Sequence, residues 1–256
     1  MISIDCYAYS NNLKTVHPAE KCLFAVITMV VCLTSPTVTT PFIILLLMAG
    51  GIIFKAGIPV RVFVKLMFIP FSFLLISVLT VAFSISRDPA GFWLAQTING
   101  LTIGVYYSDF ITAVNLFLRS LGAVSCLYFM ALTTPMTEII SLLHRLKVPS
   151  IITELMVLIY RFIFVFMETA VTIHRAQTSR SGYVSMKSSF RSMSRLFTAL
   201  LGKVFVKSQE LYNAMAARCY TGEIKVLTKK YPVNLKNYMV IVMFELALIL
   251  LNVLGR

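Results

Sequence analysis

Charge is what this sequence has least of. Of 256 residues only 13% are Asp, Glu, Lys or Arg, against 58% apolar, where soluble domains carry roughly 25% charged residues. That balance excludes a water-soluble domain and describes an integral membrane protein. Acidic groups are scarcest: ten, against 23 Lys and Arg, for a net charge of +13. The excess does not mark a nucleic-acid partner, because the basic residues fall between apolar runs, where the positive-inside rule expects cytoplasmic loops. Three histidines (His17, His144, His174) lie far apart and five cysteines (Cys6, Cys22, Cys32, Cys126, Cys219) show no C-x-x-C spacing. Neither a disulfide framework nor a metal cage is visible. A Walker A pattern is missing, as is a nucleophile set beside a base, so no bond chemistry is expected of this chain. The opening "MISIDCYAYSNN" has no basic region leading into an apolar core, and is expected to remain in the mature chain.

What is present is a series of apolar runs of nearly membrane-spanning length, about 20 residues for a helix. Residues 22–36 and 41–54 are each a little short, but "SPTVTTP" between them reads as the outer turn of a helical hairpin, with Lys21 and Lys55 at the far ends. A third run, 62–83, contains Pro70, which neighbouring helices tolerate in a membrane. The fourth covers 110–132 and the last 238–254. Between the third and fourth, residues 84–109 hold the only Trp, Trp93, and a Tyr pair with almost no net charge. That segment reads as an outer loop with aromatics at headgroup level. Gly50, Gly51 and Gly122 are expected to permit close helix approach.

One more run, 150–173, is apolar enough to cross. Yet the loop before it is basic, and residues 174–236 after it hold twelve of the 23 Lys and Arg. A single crossing would place one basic region outside. Without that crossing 19 basic residues lie inside and two, Arg87 and Arg256, outside. Moreover Glu154, Arg161, Glu168 and Arg175 recur every seven residues, a stripe of alternating sign along one helix face. An ionised side chain at mid-bilayer costs roughly 2.5–3.5 kcal/mol even on the lenient insertion scale. The reading is therefore an embedded helix that does not cross. The alternative is a true span whose stripe faces other helices. The expected fold is an all-α integral membrane protein with about five transmembrane helices and about three cytoplasmic helices. Its parts are residues 1–133, four spans; 134–236, a cytoplasmic domain; and 237–256, a final span. The N-terminus is then cytoplasmic and the C-terminus outside.

The cytoplasmic part reads as three helices. Residues 135–149 form a short amphipathic one, with Ile139, Leu142, Leu143 and Leu146 on one face and Pro149 as its stop. The second runs from about Ser150 to Ser181, with Gly182 as its C-terminal cap. The third spans about Phe190 to Cys219, apolar at Phe190, Met193, Phe197, Leu200, Val204, Leu211 and Met215, and basic at Arg191, Arg195, Lys203 and Lys207. Such a helix either lies on anionic headgroups or docks on a protein. The second and third helices end alike, in "RAQTSRSGY" (175–183) and "NAMAARCYTG" (213–222). Arg180 lies between Ser179 and Ser181, and Arg218 between Ala217 and Cys219. An arginine in a last helical turn is favoured by the helix dipole alone, worth about 0.3–1 kcal/mol. Small neighbours in both copies also leave the guanidinium free to enter a groove and meet a carboxylate bidentately.

At these residues the chain resembles the transmembrane T component of energy-coupling factor (ECF) transporters, ABC-type importers of vitamins and of nickel and cobalt ions. That family carries two X-Arg-X motifs, X being small, at the ends of two coupling helices, and "SRS" and "ARC" fit. The order of parts fits too, and "DCYAYSNNLKTVHPAEK" (5–21) is similar to the opening of the cobalt and nickel branch (CbiQ-like). A departure is Cys219, where the family often has Gly. The resemblance implies two ATP-binding cassette ATPase subunits, holding ATP and Mg, that receive Arg180 and Arg218, and a separate substrate-binding membrane subunit. This chain would transmit motion and bind no cofactor. Two other classes compete: a permease conducting its own solute, for which inward polar groups are sparse, and a scaffold whose basic helices bind lipid. Arg119 and Glu245, each about 15 Å deep at 1.5 Å per residue, read as a structural intramembrane pair, with an ion-conducting role as the alternative. The thirteen methionines read as adaptable packing.

Overall fold

The computed structural model describes residues 3–82, 84–86, 94–98, 101–105, 107–220 and 235–254. Arg87, Trp93 and Arg256, on which part of the outer-side reading rests, lie outside these. The protein is an all-α membrane protein apart from one small sheet. Helices α1 (Ser3–Ser10), α2 (Pro18–Thr34), α3 (Thr39–Gly50, continued by a π-turn Gly51–Lys55), α4 (Val60–Ala82) and α5 (Tyr107–Thr133) come first. After them follow α6 (Met136–Arg145), α7 (Ser150–Ser179), α8 (Met186–Ala216) and α9 (Leu235–Leu254). Between α4 and α5, where the sequence implies a plain loop, the backbone forms three short antiparallel strands, Ser84–Ser86, Leu94–Ile98 and Leu101–Val105, with the last in the middle. Val60–Val81, Asp109–Thr133 and Ser150–Ser179 are long and apolar enough to cross a membrane, and Thr39–Lys55 and Asn237–Asn252 are shorter apolar helices.

The chain divides into two compact units, one of Ile2–Pro135 with Lys230–Arg256, the other of Met136–Lys229. In the first, α5 is packed by α1, α2, α3 and α4, and α9 lies against α2. Its core includes Cys32, Ile44, Met48, Ile52, Cys126 and Leu132, all buried. Gly122 sets the closest approach: a Cβ there would lie 2.6 Å from Cys32 Sγ and 3.2 Å from the Pro41 carbonyl. Gly51 would meet the Phe129 ring at 3.4 Å, whereas Gly50 would meet only Phe54 of its own helix at 3.9 Å, so it permits no helix approach. Pro70 sits inside α4 and has no N–H for the carbonyl of Leu66, four residues back. The Tyr128 hydroxyl of α5 donates to that carbonyl at 3.1 Å, so a neighbouring helix repairs the break. On its other side α4 exposes Phe68, Ile69, Phe73 and Ile76, as a lipid-facing surface does.

In the second unit, α6 packs on α7 and α7 on α8. The first of these stops at Arg145, short of Pro149, because Lys147 takes a left-handed φ of 62° and reverses the chain. Likewise α8 begins at Met186, four residues before Phe190, since the Ser185 hydroxyl caps it by accepting from the Ser188 N–H at 3.2 Å.

Candidate functional site

The two arginine motifs close their helices with the same hydrogen bonds. At the end of α7, Arg180 N–H donates to Gln177 O, Ser181 N–H to Thr178 O and Gly182 N–H to Gln177 O. At the end of α8, Arg218 N–H donates to Met215 O, Cys219 N–H to Ala216 O and Tyr220 N–H to Met215 O. Both are Schellman closures, in which one left-handed residue lets two N–H groups satisfy orphan helix carbonyls. The left-handed residues are Ser181 (φ 57°) and Cys219 (φ 55°), so each arginine stands immediately before the reversal. This corrects the reading of Gly182 as the C-terminal cap: the reversing residue is Ser181, and Gly182 follows it. Gly182 is needed for a different reason: a Cβ there would lie 2.8 Å from both Gln177 O and Ser192 Oγ. The end of α6 is a control. It closes the same way, with Val148 N–H on Leu143 O, but has Leu146 in the arginine's place. The turn is thus a general helix stop, and the arginine is what the two tips add to it.

Ser179, Arg180, Ser181, Ala217, Arg218 and Cys219 are all exposed. No described residue pairs with either guanidinium. Their bases are held firmly. Below Arg180, Gln177 Nε2 donates to Ser192 O at 2.9 Å while Gln177 Oε1 accepts from the Tyr183 hydroxyl at 2.7 Å. Ser188 and Ser192 both donate to Gly182 O at 2.8 Å, and the Tyr183 ring lies 4.6 Å from that of His174. The α7–α8 turn is therefore a braced corner. Beyond Arg218, the Tyr220 hydroxyl donates to Glu154 Oε2 in the first turns of α7 at 2.7 Å. That hydrogen bond raises the Tyr220 pKa, so the hydroxyl keeps its proton throughout neutral pH. A tyrosine follows each motif in the sequence, but nothing there reveals its partner; Gln177 was not readable at all.

The remaining sequence-derived residues divide. Arg161, Glu168 and Arg175 lie exposed along α7, and Glu154 is engaged by Tyr220. Arg119 and Glu245 do not form the expected ion pair: among the described residues no contact joins them. Glu245 Oε1 instead accepts from the Thr28 hydroxyl at 2.6 Å, and Arg119 Nε is buried without a partner. Equal depth in two helices does not fix the direction in which each side chain points, which is why the pairing fails. Among the described residues no group of three or more His, Cys, Asp or Glu is placed to hold a metal.

The family model described as cobalt transport protein, CbiQ, matches residues 10–229. An uncharacterized protein of Methanocaldococcus jannaschii is 32% identical over 253 residues, covering 99% of this chain and 93% of that one. The cobalt transport protein CbiQ of Salmonella typhimurium is 33% identical over 223 residues, covering 87% of this chain and 99% of its own. The cobalt transport protein CbiQ of Rhodobacter capsulatus is 26% identical over 228 residues, covering 89% and 88%.

Proposed function

The chain belongs to the CbiQ family of cobalt transport proteins, and from that premise we propose that it is the T component of an ATP-driven ECF importer. It is a membrane component of cobalt transport, and its two arginine-tipped helices pass the motion of two ATPase subunits to a substrate-binding membrane subunit. One observation carries the reading: two helix ends, 38 residues apart, share one closure, one exposed arginine and small flanking residues. The same closure forms at the end of α6 with Leu146 just before the reversing residue, so the turn does not require an arginine there, and the repeated guanidinium points to two equivalent acceptors.

The distance between the tips sets the number of partners. They stand at opposite ends of α8, whose 31 residues span roughly 46 Å at about 1.5 Å each. A separation larger than a small domain favours one acceptor per tip, hence a pair of ATPases. ATP and Mg would be held there, not on this chain. The work of this subunit is mechanical: the braced corner at Gln177 and the Tyr220–Glu154 contact keep each arginine fixed to its helix, so a push on the tip moves the helix as a rod. In this reading the N-terminus is cytoplasmic, the C-terminus is outside and α7 is embedded without crossing.

The test is the pair Arg180→Ala with Arg218→Ala, measured by assembly with ATPase subunits and by ATP-driven cobalt uptake in vesicles. Both should be lost, with membrane insertion unchanged. Uptake at the wild-type rate in that double variant would refute the roles given to the tips.

A further inference from the structure

The N-terminal stretch that resembles the cobalt and nickel branch takes no part in the tips, and several of its polar residues are buried. Asn11 and Lys21 are each 4% exposed and Glu20 is 2% exposed. Lys21, which its place in the sequence marks as a loop charge, instead turns into the protein. Its Nζ donates to Thr133 O at 3.0 Å and to Leu13 O at 3.3 Å. Asn11 Nδ2 lies 3.2 Å from both Leu132 O and Thr133 O, and 2.7 Å from Ala8 O. Leu132 and Thr133 end α5, and their carbonyls are among the four that a helix C-terminus leaves without intrahelical partners. A nitrogen donor at that end also meets the negative pole of the helix dipole. The same stretch reaches two further elements. Asn12 N–H donates to Ala56 O at 3.2 Å beyond α3, beside Gly57, where a Cβ would lie 2.8 Å from Asn12 Nδ2. Glu20 Oε2 accepts from Asn237 Nδ2, in the first turn of α9, at 3.0 Å.

These contacts fall at a particular pair of places. The backbone leaves the first unit after Pro135, two residues past Thr133, and returns to it at Lys230, shortly before Asn237. We propose that residues 11–21 are an anchor for both covalent connections between the units: Lys21 and Asn11 hold the departing chain at the end of α5, and the adjacent Glu20 holds the returning chain at the start of α9. Lys21, Asn11 and Glu20 are positioning residues for transport, and this role rests on the coupling reading above. In the coupling reading, a displacement of the arginine-tipped helices pulls on these two connections. An uncapped α5 end would fray and absorb it, because buried carbonyls that lose their donors are costly to leave unmade. With the anchor in place the last turn of α5 moves as part of its helix.

The experiment uses the full chain purified with its ATPase and substrate-binding partners, placed in proteoliposomes and probed with Co2+. Lys21→Met and Asn11→Ala are compared with wild type and with Lys14→Met, which removes an exposed charge from the same stretch. Three quantities are read: assembly, Co2+ imported per ATP hydrolysed, and amide hydrogen exchange over residues 130–136. The anchor predicts normal assembly and ATP hydrolysis, loss of most of the import per ATP, and exchange at the end of α5 faster by about tenfold, the effect of one net hydrogen bond. Lys14→Met should match wild type. If Lys21→Met does not fold, Asn11→Ala alone decides. Unchanged import per ATP, unchanged exchange, or loss of assembly in both variants overturns the anchor. A wild-type chain that never associates with ATPases overturns the coupling reading instead, and is seen in the assembly measurement before any variant is made.

Discussion

At the scale of single residues, the tips use a conformation that their own side chains resist. A left-handed φ costs a residue with a Cβ roughly 1–2 kcal/mol relative to glycine, and Ser181 and Cys219 both adopt it. Glycine takes this φ without that cost, a physical reason for the glycine that the resembled family often carries where Cys219 stands. Cys219→Gly should therefore steady the end of α8, by about 0.5–1 kcal/mol after the extra freedom of glycine in the unfolded chain is deducted. Cys219→Val should do the reverse, since a β-branched side chain is the worst occupant of that φ. Amide exchange of Arg218, Cys219 and Tyr220 reads both effects directly. Slower exchange with valine than with glycine would show that the closure is not what holds the tip. The Tyr220 hydroxyl adds a second restraint with a defined pH range. Its pKa is raised by the bond to Glu154, so the contact is present below the ordinary tyrosine value and is lost only as pH rises through the raised one.

Among the elements, α4 shows how one helix depends on another. Pro70 leaves the Leu66 carbonyl without its helical donor, and the Tyr128 hydroxyl supplies one at 3.1 Å. Removing that hydroxyl by Tyr128→Phe should cost about 1–3 kcal/mol, because the part-buried Leu66 carbonyl is left without a donor. In a Pro70→Ala background the same change should cost much less, because the alanine N–H can reach Leu66 O. A double-mutant cycle on detergent unfolding measures the difference, and an equal loss in both backgrounds would sink the assignment. The sequence announced Pro70 and its tolerance but not Tyr128, since which helix lies alongside is a matter of tertiary packing. The same limit explains the other differences. Apolar runs bounded by Pro36 and Pro41 marked α2 and α3 within a few residues, and the recurring arginines marked the tips, because local patterns encode both. The polar stretch "MKSS" hid the start of α8, for its cap is one serine among several. Arg119 and Glu245 shared a depth but not a direction, and Lys21 looked like a loop charge because burial cannot be read from a position next to an apolar run.

For the whole molecule, the decisive question is on which side of the bilayer each end of α7 lies. Length and composition alone would let α7 cross, as they would α4 and α5. Two features underlie the reading that it does not: it carries Arg161 and Glu168 exposed within its apolar length, and a crossing would separate the basic loop at Arg145 and Lys147 from the basic region after His174. Both arginine tips must face one compartment if cytoplasmic ATPases are to drive them, and a crossing α7 would place Arg180 on the far side from Ser150. Single cysteines at Ser150 and Ser185, both exposed, decide the matter in a background where the exposed Cys6 and Cys219 are replaced by serine. A membrane-impermeant thiol reagent applied to sealed inside-out vesicles should label both sites, and applied to intact cells should label neither. Labelling of the two sites from opposite sides would make α7 a true span, remove one tip from the reach of any cytoplasmic ATPase and end the lever reading for that half of the molecule.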